Sequence, residues 1–141
     1  MIAKQLSVFL ENKSGSLTDV TEILSRAHIN LSSMNITDSS DFGILRCIVS
    51  DPDKACRVLR ENNFAVKMTE VIGFTCPNTT GALSRVMRCL SDNGVFIEYL
   101  YSFNAGEIAN IIIRPTDLQA CEQVLEANKV HFIAADELNR L

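Results

Sequence analysis

The sequence predicts an α+β fold in which one β-α-β-β-α-β unit of a 141-residue chain is used twice. Three observations predict it: a gapless self-match, period-two apolar runs alternating with helical spacing, and a polar glycine turn at the same place in each copy. Gly15 recurs as Gly81, and the same 66-residue offset pairs Leu17 with Leu83, Val20 with Val86, Leu24 with Leu90, Asp51 with Asp117, Val58 with Val124, Leu59 with Leu125 and Asn62 with Asn128. The copies meet near residues 68 to 72, so the expected domains are 1–69 and 70–141.

The elements follow in order. "QLSVFL" and "VIGFTC" are apolar runs of strand type. Leu17, Val20, Leu24 and Ala27, then Leu83, Val86 and Leu90, recur at helical spacing, and Gly94 is a natural stop for the second of these helices. "INLSSMNIT" and "GILRCIVS" flank the turn "DSSDFG", and "VFIEYLYSF" and "IANIIIR" flank "NAGE", so each pair predicts an antiparallel hairpin. A second helix starts after Ser50, with Pro52 in its first turn, and its counterpart starts at Thr116, which forms a capping-box pattern with Gln119. "FAVKMTEV" and "HFIAADEL" close the copies as fourth strands.

Two right-handed β-α-β crossovers place both helices of a unit on one face of a four-stranded antiparallel sheet, which is the ferredoxin-like sandwich. A unit of this size buries only about 60% of its unfolded surface and is marginal alone, so the two are expected side by side. "IIIR" presents isoleucine to both sheet faces, and Tyr99, Tyr101 and Phe103 alternate with Leu100. The uncovered faces therefore pack on the other copy or form a homodimer.

Composition excludes several classes. Net charge is −4, which argues against a general nucleic-acid binder. No stretch of about 18 apolar residues occurs, so no membrane role is expected and the protein is expected to be cytoplasmic. Cys47, Cys56, Cys76, Cys89 and Cys121 contain no C-x-x-C pair; they predict reduced, mostly buried thiols and no metal or cofactor. His28 and His131 have no ligand-set or triad spacing, so no catalytic residue is assigned, and His28 fits a helix C-terminus. Cys76, just before "PNTTG", is the one thiol placed where a redox role is conceivable.

"ENKSGSL" and "PNTTGAL" lie between the first strand and first helix of each copy. Backbone N–H groups and the helix dipole there favour a carboxylate, while Asn12 and Asn78 offer a donor and an acceptor. The alternative is a plain turn capped by Ser14, Ser16 or Thr80.

These stretches resemble the Asn-x-x-Gly-x-Leu signature of ACT domains, and "AHINLSSMNI" and "NGVFIEYLYS" resemble the second-strand entry of that family. The resemblance spans the chain once per copy and implies a stand-alone, non-catalytic regulatory protein that binds a free amino acid or similar small zwitterion between one copy's loop and the other copy's second strand. It implies amino-acid-binding roles for Asn12, Lys13, Ser14, Gly15, Ser16 and Leu17 in the first loop, and for Asn78, Thr79, Thr80, Gly81, Ala82 and Leu83 in the second. From the second strands it implies Asn30, Met34 and Asn35, and Tyr99, Leu100 and Tyr101.

The family's Pro before the Gly is Ser14 and Thr80 here, and the His of its serine-binding members is Leu10 and Cys76, so serine sensing of that type is not expected. Asn30 is a potential partner for Asn12 in its own copy, whereas Phe96 stands in the equivalent place opposite Asn78. Unequal sites are therefore expected, the stronger at 12–17. Acylphosphatases, which share the sandwich, place an arginine in this loop, and neither loop has one. A ligand-free adaptor or docking module for a metabolic enzyme is the alternative, with Arg57, Arg60, Arg85 and Arg88 as outer-face charges.

Overall fold

The computed structural model describes residues 1–11, 13–38 and 42–140. Asn12 and residues 39–41 of the predicted "DSSDFG" turn thus lie outside the described residues. The chain divides into two compact units, Lys4–Thr69 with Asp136–Leu141 (the first unit) and Met1–Ala3 with Glu70–Ala135 (the second unit).

The first unit contains β1 (Ile2–Glu11, from Lys4 on), α1 (Ser16–Arg26), β2 (Leu31–Asp38), β3 (Phe42–Val49), α2 (Pro52–Glu61) and the opening of β4 (Ala65–Pro77). β3 pairs antiparallel with both β1 and β2, in registers that align Val8, Leu45 and Ile36. Direct cross-strand partners share a face, so Leu6, Val8, Leu10, Leu45 and Cys47 lie together. They form one core with Val20, Ile23 and Leu24 of α1 and Ala55, Cys56 and Leu59 of α2. Both helices therefore cover the same sheet face.

The second unit repeats the order with the rest of β4, α3 (Ala82–Asp92), β5 (Ile97–Ala105), β6 (Ile108–Pro115), α4 (Leu118–Ala127) and β7 (His131–Phe132). β6 pairs with β4 and β5, and β7 pairs with β4. Its core joins Ile72, Phe74, Ile111 and Ile113 to Leu90, Cys121 and Leu125. Leu100 faces this core across from Ile113, and Tyr99 and Tyr101 take the opposite face with Arg114 and Ile112. The repeat extends to irregularities: the register shifts between Leu31 and Ser33 and again between Ile97 and Tyr99, at the same offset.

Three details depart from expectation. "FAVKMTEV" and "VIGFTC" run on as the single strand β4. "HFIAADEL" is strand only at His131–Phe132, after which α5 (Ala135–Leu138) forms. Ala, Glu and Leu are good helix formers, and acidic residues in a first turn suit the helix dipole. The second helices are capped one residue later than expected, by Asp51 and Asp117, whose carboxylates accept from the N–H of Lys54 at 3.2 Å and of Ala120 at 3.0 Å. Ser50 Oγ instead accepts from the N–H of Asn30, and Thr116 Oγ1 donates to Phe96 O.

All four long helices stop at a positive-φ residue: His28, Asn63, Gly94 and Lys129. His28 is thus a helix terminator, as its position predicts. No described helix is long and apolar enough to cross a membrane.

Candidate functional site

The helix-entry loops differ from the other helix starts. Gly15 and Gly81 occupy the N-cap positions of α1 and α3 with φ of 91° and 87°, and among the described residues neither helix has a side-chain cap. Ser16 Oγ donates to Glu11 O at 3.0 Å, so it ties the loop to β1 rather than capping. In α3 the Ala82 N–H is already donated to Thr79 O at 3.2 Å; the other first-turn N–H groups, beside a glycine at positive φ and with no capping side chain among the described residues, are open to a ligand's acceptor atoms.

Beside the first loop lies a cavity of about 440 Å³. Its walls are Phe9, Leu10 and Glu11 at the end of β1, Lys13, Ser16 and Asp19 at the start of α1, Phe42 at the start of β3, and Asn62–Ala65 after α2. Phe9 and Phe42 are tilted against each other with ring centroids 5.8 Å apart, and both are exposed. Lys13 Nζ pairs with Glu11 Oε2 at 3.1 Å. The cavity thus offers aromatic surface and charges of both signs.

The second unit has a cavity of about 340 Å³ in the equivalent place, lined by Thr75, Cys76, Pro77, Ala82, Arg85, Val86, Ile108 and residues 128–131. Ten of these residues are the 66-offset counterparts of first-cavity residues. Asn62, Asn63 and Phe64 were the functional candidates that sequence reasoning missed; the match of Asn62 with Asn128 was the available signal.

The structure places the expected residues unevenly. Lys13 and Ser16, and in the second unit Ala82, line the cavities. Ser14, Gly15, Thr79, Thr80 and Gly81 form the exposed loops, Leu17 is 36% exposed, and Leu83 packs on the second core. Asn78 is bound to the β5–β6 turn: its Nδ2 donates to Gly106 O at 3.1 Å, and its Oδ1 accepts from Asn104 Nδ2.

Asn30 precedes β2 beside Ser50, whereas Glu11 and Lys13 are at the Phe42 end of the sheet. β2 and β1 are parallel through β3, so at ~3.3 Å per residue the two ends lie ~25 Å apart. Asn30 and the described residues of its own copy's loop therefore do not share a ligand; the expected Asn12–Asn30 pair within one copy itself lies outside the described residues. Met34 is exposed on β2 across from Cys47, and Asn35 lies across from Arg46 with its Oδ1 buried and without a hydrogen-bond partner among the described residues.

The five cysteines are free, and all but Cys89 are buried. Burial pushes the Cys47 thiol up to about 12, and burial, reinforced by Asp117 and Glu122, pushes Cys121 up to about 11. Thr75, not Cys76, lies across from His131, and Cys76 packs in the second core. No group of three potential metal ligands occurs among the described residues.

Residues 1–141 match the family described as ACT domain pair. The chain belongs to that family. Among solved structures, this ACT pair is similar to protein BT0572 from Bacteroides thetaiotaomicron, at 55% identity and a TM-score of 0.97, with 100% of this chain and 98% of that chain covered. It shares its fold with the ligand-free regulatory subunit of aspartate kinase from Thermus thermophilus (13% identity, TM-score 0.66, covering 92% of this chain and 95% of that chain). The corresponding subunit from Thermus flavus has 12% identity and a TM-score of 0.62, with 89% and 95% covered. No curated protein matches the ACT pair by sequence.

Proposed function

We propose that this ACT pair is a non-catalytic regulatory protein whose first unit binds a free amino acid at the helix-entry loop. The observation that carries the reading is the cavity at that loop, where an uncapped helix start and Lys13 suit a carboxylate, Glu11 and Asp19 suit an ammonium group, and Phe9, Phe42 and Phe64 suit an apolar side chain. Its size is within the usual range for small-molecule sites. In the full proposal the ligand also touches the second strand of a neighbouring copy through residues equivalent to Asn30, Met34, Asn35 or Tyr99–Tyr101, in a cytoplasmic homodimer. Binding would favour whichever arrangement holds the ligand better. By analogy with the regulatory subunits that share the fold, the regulated partner is a metabolic enzyme.

A ligand-free adaptor is the competing reading, favoured by the exposed Phe9–Phe42 pair. Thermal unfolding against the twenty amino acids separates the two. A ligand at about 100 times its Kd adds about 2.7 kcal/mol of stability. No shift by any amino acid at millimolar concentration would leave the adaptor.

A further inference from the structure

The two equivalent cavities carry opposite charge. In the first, the ion pair of Glu11 and Lys13 leaves Asp19 in excess. In the second, Arg85 stands at the position of Asp19, Lys129 at that of Asn63 and His131 at that of Ala65, and no carboxylate lines the cavity among the described residues. Arg85, Lys129 and His131 make no ion pair with any described residue, in a protein whose net charge is −4. The Arg85 guanidinium reaches back over the loop: a methyl built on Gly81 would lie 3.4 Å from its Nη1. The remaining surface is mostly apolar, from Cys76, Pro77, Ala82, Val86, Ile108 and Val130, with Thr75 and Asn128 as its uncharged polar groups.

From this we infer that the second unit holds a separate site for a small organic anion, a carboxylate with a short branched apolar body. Arg85 and Lys129 receive the anionic head, and Val86, Ile108 and Val130 receive the body. The geometry admits a guanidinium-to-carboxylate fork at Arg85, the stronger kind of hydrogen bond. An amine-bearing ligand is disfavoured by the two unpaired cations. The site is independent of the first-unit reading, because its ligand class and its residues are different.

The test titrates the full-length ¹⁵N-labelled protein with sodium isovalerate, inorganic phosphate and isoamylamine at constant ionic strength. Isovalerate is expected to shift the amides of Ala82, Val86 and Lys129 saturably, and isoamylamine is expected not to. Arg85→Asp, which installs the first unit's residue, should weaken isovalerate about 10-fold or more. Lys129→Asn should weaken it about 3-fold while Tm holds or rises, since Asn tolerates positive φ better than Lys. Absence of saturable shifts, equal affinity for phosphate, or an Arg85→Asp protein that binds isovalerate unchanged would overturn the assignment.

Discussion

Replacing Gly15 with Ala perturbs the loop and little else. At φ 91° any L side chain is strained, by about 1–2 kcal/mol. Beyond its chain neighbours the added methyl would meet no described atom within 4 Å, so no tertiary clash is added. Stiffening of the unfolded chain offsets about 0.4–1 kcal/mol. The net loss is about 1 kcal/mol, or about 3–4 °C in Tm for a chain of this size. Gly81→Ala should cost about the same, since φ is 87° and the nearest atom, Arg85 Nη1 at 3.4 Å, is the end of a flexible side chain. Differential scanning calorimetry measures both. The reasoning also separates them functionally: Gly15→Ala should weaken amino-acid binding in the first unit, and Gly81→Ala should leave it unchanged. A Tm loss above about 10 °C, or equal effects of both variants on binding, would refute it.

Other consequences follow from local geometry. Asp51→Ala and Asp117→Ala should each cost about 1 kcal/mol in chemical denaturation, through loss of the cap bonds to Lys54 and Ala120; Thr116→Ala should cost less. The buried Cys47 thiol titrates at about 12 in the folded protein against 9.0 for the unperturbed group. The unfolded chain therefore binds fewer protons above pH 9, so the contribution is present below pH 9 and is lost as pH rises towards 12. Stability should fall by about 1.4 kcal/mol per pH unit from this group, and urea unfolding at pH 9 and 10.5 should show a drop about 2 kcal/mol smaller in Cys47→Ala. Leu59→Ala and Leu125→Ala, both fully buried, should each cost about 2–5 kcal/mol in the same assay.

The fold was legible because the 66-residue offset tested each element against a second instance. Leu17, Val20 and Leu24 alone make a modest helix argument; repeated as Leu83, Val86 and Leu90 they make a unit. The closing strand was misread because alternation in "HFIAADEL" describes a potential strand, whereas pairing depends on a partner backbone. β4 gives that partner only at Phe74 and Thr75, and the following residues take the helix that their propensities favour. Capping by Asp51 and Asp117 was off by one position because Ser50 and Thr116 are also good cap types, and only backbone geometry chooses between neighbours.

The candidate site was half legible. A glycine before a helix marks the loop, and the positive φ of Gly15 and Gly81 is what the structure adds. The opposite wall, from Asn62 to Ala65, lies about 50 residues further along the chain, and nothing local in those residues marks a site. The charge reversal from Asp19 to Arg85 was visible in the sequence, but its meaning required knowing that both side chains border a cavity.

A crystal soaked with the amino acid that most raises Tm tests the central claim most directly. The account predicts ligand density in the first-unit cavity, with its carboxylate at the start of α1 and its ammonium group towards Glu11 or Asp19. Density elsewhere, with that cavity empty, would contradict it.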